Sequence, residues 1–266
     1  VLDYTNTFRY NEADNLNAVD WTSRTYDDAT GNWAGGMALL AFEDNPAVTW
    51  MIRTFLGDPR AYAPAGHAVY FRAHFNNAFG EKALLTLTNR IDDGAVFYLN
   101  GVEIRRINVT ANPVTFTSLS TATAVENTES KYTYIATKLV VGDNVLSAIV
   151  LQSSTTSFDT VYGTILWAES INPLTITSQP DDAATELNGA AVFRVAASGT
   201  KPIYQWQYGV GTNGPWGIAS GTSTNASYSI ASAQLSHDGY YRAIVSNPAN
   251  SVTSRVARLE VTVDTV

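Results

Sequence analysis

The most constraining feature of the sequence is a short strand enclosed by two turns. Ala95 to Leu99 carries β-branched and aromatic side chains, and the polar turn Asp92-Asp93-Gly94 precedes it. The dipeptide Asn100-Gly101 follows, and it strongly favours a type I′ turn between antiparallel strands. A partner strand is therefore predicted from Val102 to Ile107. Any fold of this chain has to contain that hairpin.

The rest of the sequence also favours strands over helices. No segment places apolar residues at positions i, i+3, i+4 and i+7 over three turns with caps at both ends. Strand patterns instead recur between turns rich in Gly, Asn, Asp and Pro. Besides the hairpin, strands are predicted at Ala38–Phe42, Ala68–Phe75, Ala83–Asn89, Lys131–Ala136, Val145–Leu151 and Gly163–Glu169. A jelly roll requires such a set of strands, so the sequence predicts an all-β fold.

Length and charge limit the domain count and the partners. The 266 residues suffice for two domains, each with its own core. Sixteen basic against 24 acidic residues give a formal charge of −8, without a basic cluster that could neutralise phosphates. Nucleic acid is therefore not an expected partner. No apolar run approaches the roughly 18 residues of a membrane helix, so membrane insertion is not expected either.

The composition indicates an exported protein. Lysines are few, Thr, Asn, Ser and Gly are abundant, and cysteine is absent. These features fit a secreted bacterial protein, extracellular or at the cell surface, that gains its stability from packed cores. The sequence starts at Val1 without an initiator Met or a signal peptide, so we expect that a leader was removed and that the segment belongs to a larger parent chain.

Four segments resemble the galactose-binding-like jelly roll. The hairpin motif Asp-Asp-Gly-Ala-Val-x-Tyr-Leu-Asn-Gly is similar to the central hairpin of that family. The others are an opening run with Trp21, Asp27-Asp28 and Trp33, a Tyr70–Phe75 strand, and Gly142–Leu146 followed by Gln152-Ser153-Ser154. The resemblance spans about residues 5 to 168. It implies a jelly-roll domain of the kind appended to secreted bacterial enzymes and found as the sugar-binding domain of family 2 glycoside hydrolases.

The last third of the sequence resembles a bacterial immunoglobulin-like domain over about residues 174 to 264. Trp206 stands where that family has its core tryptophan, and Tyr241 occupies the tyrosine-corner position. Val195 and Ala243 replace the two cysteines, and His237 replaces a usual acidic residue, which removes a salt bridge. The predicted domains are therefore residues 1–171, a galactose-binding-like jelly roll, and residues 172–266, an immunoglobulin-like domain.

Three long connections interrupt the first set of strands, and long loops in compact domains often carry function. The first, Glu43 to Gly66, holds Trp50 and Tyr62 and suggests a lid or a platform. The second, Asn108 to Ser130, is rich in Thr and is predicted to be a surface arm. The third, Gln152 to Tyr162, is expected to return to the same end of the sandwich.

Sequence motifs for catalysis are missing. The three histidines lie on different predicted elements, so no two-His zinc spacing exists. There is no cysteine and no Gly-x-Ser-x-Gly elbow, although paired carboxylates that meet only in space stay open. We therefore expect a protein that is not an enzyme.

Calcium is the expected cofactor if the protein holds a metal. Loop carboxylates suit this cation, and candidates are Asp27 and Asp28, Glu43 and Asp44, and Asp92 and Asp93. The Asp-Asp-Gly turn resembles the calcium-binding turn of protective-antigen-like lectin domains, which favours Asp92 and Asp93 as metal ligands. In the alternative interpretation, Asp92 caps the turn by accepting backbone N–H bonds and Asp93 faces solvent.

The leading functional hypothesis is a carbohydrate-binding module with an immunoglobulin-like spacer. Trp21, Trp33 and Trp206 are assigned to cores, whereas loop aromatics could stack on the apolar faces of sugar rings. The predicted glycan or polysaccharide site consists of Trp50, Tyr62, Arg90, Gln152, Asp159 and Tyr162. The alternative function is a structural or adhesive module that positions a neighbouring enzyme or self-associates. The alternative role of each loop aromatic is to pack under its own loop.

Overall fold

The computed structural model describes residues 1–61, 68–124, 128–157, 159–221 and 223–263. The chain forms two compact units, Val1–Ser170 and Ile171–Val266. The boundary between these units lies one residue before the predicted one. Among the described residues, no helix has the length and apolar character needed to cross a membrane.

The first unit is a sandwich of two mostly antiparallel sheets. Its strands are β1 (Thr7–Asn11), β2 (Ala34–Met37), β3 (Leu40–Phe42), β4 (Thr54–Phe55), β5 (Val69–Asn77), β6 (Ala83–Asp92), β7 (Gly94–Leu99), β8 (Val102–Ile107), β9 (Ser130–Ala136), β10 (Gly142–Leu151) and β11 (Thr160–Ser170). One sheet has the order β2-β1-β5-β10-β7-β8 and the other the order β4-β3-β11-β6-β9. The all-β prediction is confirmed, and all eight predicted strands are present.

The hairpin forms as its turn residues predict. Asn100 and Gly101 both have positive φ, 50° and 87°, as a type I′ turn requires. Because β10 pairs with β7 on one side and with β5 on the other, the hairpin is joined to the middle of its sheet. Apolar side chains of both sheets meet in a core centred on Phe8, Phe71, Phe97 and Leu166.

The Thr-rich arm lies at the surface, as predicted, but it is packed onto the sandwich through a few buried side chains. Val109 and Phe116 are buried in a second cluster with Trp21, Trp33 and Tyr70. Phe116 stacks on Tyr70 with ring planes 5° apart. These few apolar side chains, scattered among threonines, are sufficient to fasten the arm to the sandwich.

The second unit is an immunoglobulin-like sandwich. Its strands are β12 (Thr175–Ser178), β13 (Ala183–Glu186), β14 (Ala191–Arg194), β15 (Ala196–Ser198), β16 (Ile203–Gly209), β17 (Gly217–Ile218), β18 (Ser227–Ile230), β19 (Gly239–Ser246), β20 (Ser251–Thr253) and β21 (Ala257–Thr262). Trp206 is fully buried in its core, as are Val195 and Ala243 at the positions of the missing cysteines. The Tyr241 hydroxyl donates to the His237 carbonyl at 2.9 Å, which is a tyrosine corner.

The salt bridge predicted to be lost is replaced one residue later. Asp238 lies 2.5 Å from an Arg258 guanidinium nitrogen and also accepts the Val261 N–H. The His237 ring accepts the Gln234 N–H, so the histidine closes its own turn. The substitution therefore moves the ion pair by one position instead of removing it.

Candidate functional site

The exposed indole of Trp50 is the centre of the candidate site. The preceding one-turn helix α1 (Pro46–Thr49) begins where the Asn45 side chain accepts the Ala47 N–H and Pro46 fills the first helical position. Val48 from this helix is buried against Leu39, Ala41 and Val161. The loop is therefore held to the sandwich by an anchor other than Trp50.

Trp50 itself points outward. It is 76% exposed, and its indole N–H donates to the Ala47 carbonyl at 3.1 Å. The ring is thus oriented by a hydrogen bond while most of its surface stays in water. The interpretation that Trp50 packs under its own loop is wrong for this residue.

A surface cleft of about 330 Å³ lies beside the indole, and we call it the Trp50 cleft. Its walls are Tyr4, Ala38, Leu39, Trp50, Met51, Ile52, Arg53 and Arg90. The lining combines an aromatic face, aliphatic side chains and two guanidinium groups, without a carboxylate. Such a lining suits a ligand with both apolar faces and hydrogen-bonding oxygens.

The N-terminal segment and β6 bring distant residues into the Trp50 cleft. Arg90 pairs across the sheet with Gly163. A Cβ atom at position 163 would lie 2.5 Å from a Leu39 side-chain atom and 3.2 Å from the Tyr4 ring. Glycine at this position therefore lets Tyr4 and Leu39 close over the strand beside Arg90. Burial raises the pKa of the Tyr4 hydroxyl, so it stays a neutral hydrogen-bonding group.

Arg90 is held in a fixed orientation. Its guanidinium lies 3.1 Å from Glu129, and its side chain is only 19% exposed. Arg53 is more exposed, and its guanidinium approaches the Tyr4 carbonyl at 3.5 Å. The cleft thus offers one rigid and one adaptable cationic donor.

Three carboxylates meet next to the cleft, and we call them the acidic cluster: Glu43, Asp92 and Asp159. One oxygen from each lies within 4.8 Å of the others, and this is the one group of three potential metal-ligating side chains among the described residues. Burial, and then hydrogen bonding and repulsion from Asp93, raise the pKa of Asp92 to about 9. Asp92 therefore carries a proton at neutral pH.

The acidic cluster fits a calcium ion. Calcium takes oxygen ligands at about 2.3–2.6 Å, so oxygens within 4.8 Å of one another can share one ion. The Oε1 of Glu43 accepts two backbone N–H groups, whereas its Oε2 is buried without a hydrogen-bond partner among the described residues. A bound cation would satisfy that oxygen and would replace the proton on Asp92.

Asp93 lies outside this cluster and has a different role. Its two carboxylate oxygens accept the N–H groups of Ser153 at 2.7 Å and Ala124 at 3.1 Å. Asp93 is buried, so the expectation that Asp92 caps the turn while Asp93 faces solvent is wrong. Asp93 instead fastens two loops to the hairpin.

The other predicted calcium candidates have ordinary partners. Asp28 forms a buried ion pair with Arg72 at 2.6 Å, and Asp27 accepts bonds within its own turn. His74 lies between Asp28 and Asp143, and the other described histidine, His237, belongs to the second unit.

The predicted glycan residues separate into three groups. Trp50 and Arg90 line the same cleft, and Asp159 joins the neighbouring acidic cluster. Tyr162 and Gln152 are fully buried, Tyr162 stacked on Phe71 and Gln152 bonded to Thr160, so neither can contact a ligand as predicted. Tyr62 lies outside the described residues. Tyr4 and Arg53 were missed, because only long-range packing brings the N-terminal segment to this loop.

Comparison with known proteins does not define a family for this chain. No protein-family model matches the chain, and no curated protein matches it. Among solved structures, a β-glucuronidase from an uncultured Clostridium aligns at 12% identity and a TM-score of 0.40, over 95% of this chain and 43% of the enzyme. A glycosyl hydrolase family 2 member from Bacteroides cellulosilyticus aligns at 10% identity and a TM-score of 0.40, over 97% of this chain and 36% of that chain.

Immunoglobulin structures also align. The tandem Ig repeats of Dlar match at 13% identity and a TM-score of 0.31, over 75% of this chain and 91% of theirs. The chain spans less than half the length of the two hydrolases. Fold and site together define a class, an all-β protein of two sandwiches with an aromatic cleft on the larger one.

Proposed function

We propose that the first unit is a non-catalytic, exported carbohydrate-binding module and that the second is its immunoglobulin-like spacer. The observation that supports this most is Trp50, an indole that is 76% exposed yet oriented by its own hydrogen bond. An indole fixed in this way stacks on the apolar face of a sugar ring without losing rotational freedom on binding.

The rest of the Trp50 cleft complements the indole. Arg53 and Arg90 supply N–H donors for sugar hydroxyl or carboxylate oxygens. Because the Arg90 guanidinium is fixed beside the indole, the cleft would select the orientation of the sugar.

Affinity electrophoresis of the folded protein in gels containing neutral and uronic-acid polysaccharides tests the proposal. A carbohydrate-binding module is retarded by at least one of them. A folded protein that migrates unchanged in every gel would contradict the proposal and favour a structural or adhesive module.

We also propose that the acidic cluster binds calcium and stiffens the loops beside the cleft, without a role in chemistry. A ligand that binds only the folded state at about 100 times its Kd adds roughly 2.7 kcal/mol to the free energy of unfolding. Calcium should therefore raise the melting temperature of the wild-type protein, and Asp159→Asn should abolish that rise. Asp27→Asn is the matched control, and a wild-type melting curve that calcium leaves unchanged would exclude the site.

A further inference from the structure

Strand β6 presents a second recess on its opposite face. Arg90 points to the outer side of its sheet, and because side chains alternate along a strand, Asn89 points inward between the two sheets. A pocket of about 310 Å³ opens there, and we call it the inner pocket. It shares neither Trp50 nor Arg90 with the Trp50 cleft.

The inner pocket has an incompletely bonded amide in its wall. Asn89 is only 1% exposed, and its Oδ1 accepts the Thr164 hydroxyl at 2.9 Å. Its Nδ2 is buried without a hydrogen-bond partner among the described residues. A buried donor left unpaired destabilises the folded state, so an oxygen that enters the pocket and accepts from it is favoured.

The remaining walls are built for a neutral, amphipathic ligand. Ile91 and Ile107 form an apolar side that continues the main core. Ser130 and Tyr132 supply hydroxyl groups, and Asn108 donates to the Asp93 carbonyl at 3.0 Å, which leaves its own oxygen as an acceptor. None of the described lining side chains is charged, so these walls offer a charged ligand no direct ion pair in return for the hydration it would lose.

The walls are also fixed before any ligand arrives. The Arg105 guanidinium lies 3.6 Å from the centre of the Tyr132 ring, which links the two sheets beside the pocket. Asp93 fastens Ala124 on the opposite wall through its backbone N–H. A preformed pocket of this size is at the lower end of the range for small-molecule sites, roughly 300–1,000 Å³.

We infer that the inner pocket binds one neutral sugar residue, whose hydroxyl or ring oxygen accepts the Asn89 Nδ2–H. The inference extends the proposed glycan recognition to a second site. The inner pocket differs from the Trp50 cleft because it accepts a single sugar ring and rejects an acidic sugar.

Titration of the protein with D-glucose, D-galactose and D-mannose, followed by NMR, tests the inference, with D-glucuronate as the charged comparison. At least one neutral hexose should shift the Asn89 side-chain amide signal, and glucuronate should not. Asn89→Asp keeps the acceptor for Thr164 but removes the donor, so the affinity should fall at least 10-fold. Ser130→Leu fills the pocket from β9 and should have the same effect.

A control variant on the same strand leaves the inner pocket intact. Thr133→Leu makes a similar change on the outer face of β9, so the hexose should shift the Asn89 amide signal in it as in the wild type. A hexose-induced shift of the Tyr132 signals that survives Asn89→Asp and Ser130→Leu would overturn the inference. So would a wild-type protein that binds polysaccharide but none of the hexoses, which would mean that the pocket holds only water. A protein that binds neither sugars nor polysaccharides would contradict the proposed function as well.

Discussion

Asp92 is a buried carboxyl beside two other acids, and its protonation links the acidic cluster to stability. The unfolded carboxyl ionises near pH 4, whereas the pKa in the folded protein is about 9. Between those values the folded state holds a proton that the unfolded state has lost. The contribution of Asp92 to the free energy of unfolding therefore falls as the pH rises through this window.

Asp92→Asn should remove that pH dependence. In calcium-free buffer, the variant should melt near the wild type at pH 4 and progressively higher than the wild type toward pH 9. Each kcal/mol by which the free energy of unfolding of the variant exceeds that of the wild type should raise the melting temperature by about 2 to 4 °C. Thermal unfolding at several pH values measures this, and a constant difference between the two proteins at every pH would show that Asp92 is ionised when folded.

At the scale of single elements, local sequence patterns predicted eight of the eleven strands of the first unit and missed β1, β2 and β4. Turn dipeptides and alternating apolar residues predicted the strands that form the centre of each sheet. The edge strand β2 was missed because it contains two adjacent glycines and no branched side chain. The attachment of the Thr-rich arm was missed because Val109 and Phe116 fasten it through contacts far away in sequence.

The tyrosine corner of the second unit was predictable because it is a local motif. Tyr241→Phe leaves the partly buried His237 carbonyl without its donor, so it should destabilise that unit by about 1 to 3 kcal/mol. Tyr240→Phe, one position away and beside Arg258, is the matched control. Chemical denaturation followed by near-ultraviolet circular dichroism measures both, and equal stabilities of the two variants would refute the corner.

At the scale of the whole molecule, each unit has its own aromatic core. The first is built around Phe71 and Phe97, and the second around Trp206, Phe193 and Tyr241. The candidate site was only partly predictable at this scale. Trp50 and Arg90 were identified from residue type, whereas Tyr4, Arg53 and the grouping of Glu43 with Asp159 depend on which loops meet in three dimensions.

Because each unit buries its own core, residues 1–170 and 171–266 should fold when produced separately. Each fragment should show one cooperative melting transition, and only the first should bind glycan. An insoluble or unfolded fragment, with the full chain folded, would mean that one unit depends on the other.

The most direct test of glycan recognition is calorimetric titration of Trp50→Ala with the polysaccharide that retards the wild-type protein. An aromatic anchor typically contributes about 2 kcal/mol or more, so the affinity should fall roughly 30-fold or further while the melting temperature stays unchanged. Trp216→Ala, in the second unit beside Arg242, is the control and should bind as the wild type does. Wild-type affinity in a folded Trp50→Ala protein would contradict the assignment of the Trp50 cleft as the glycan site.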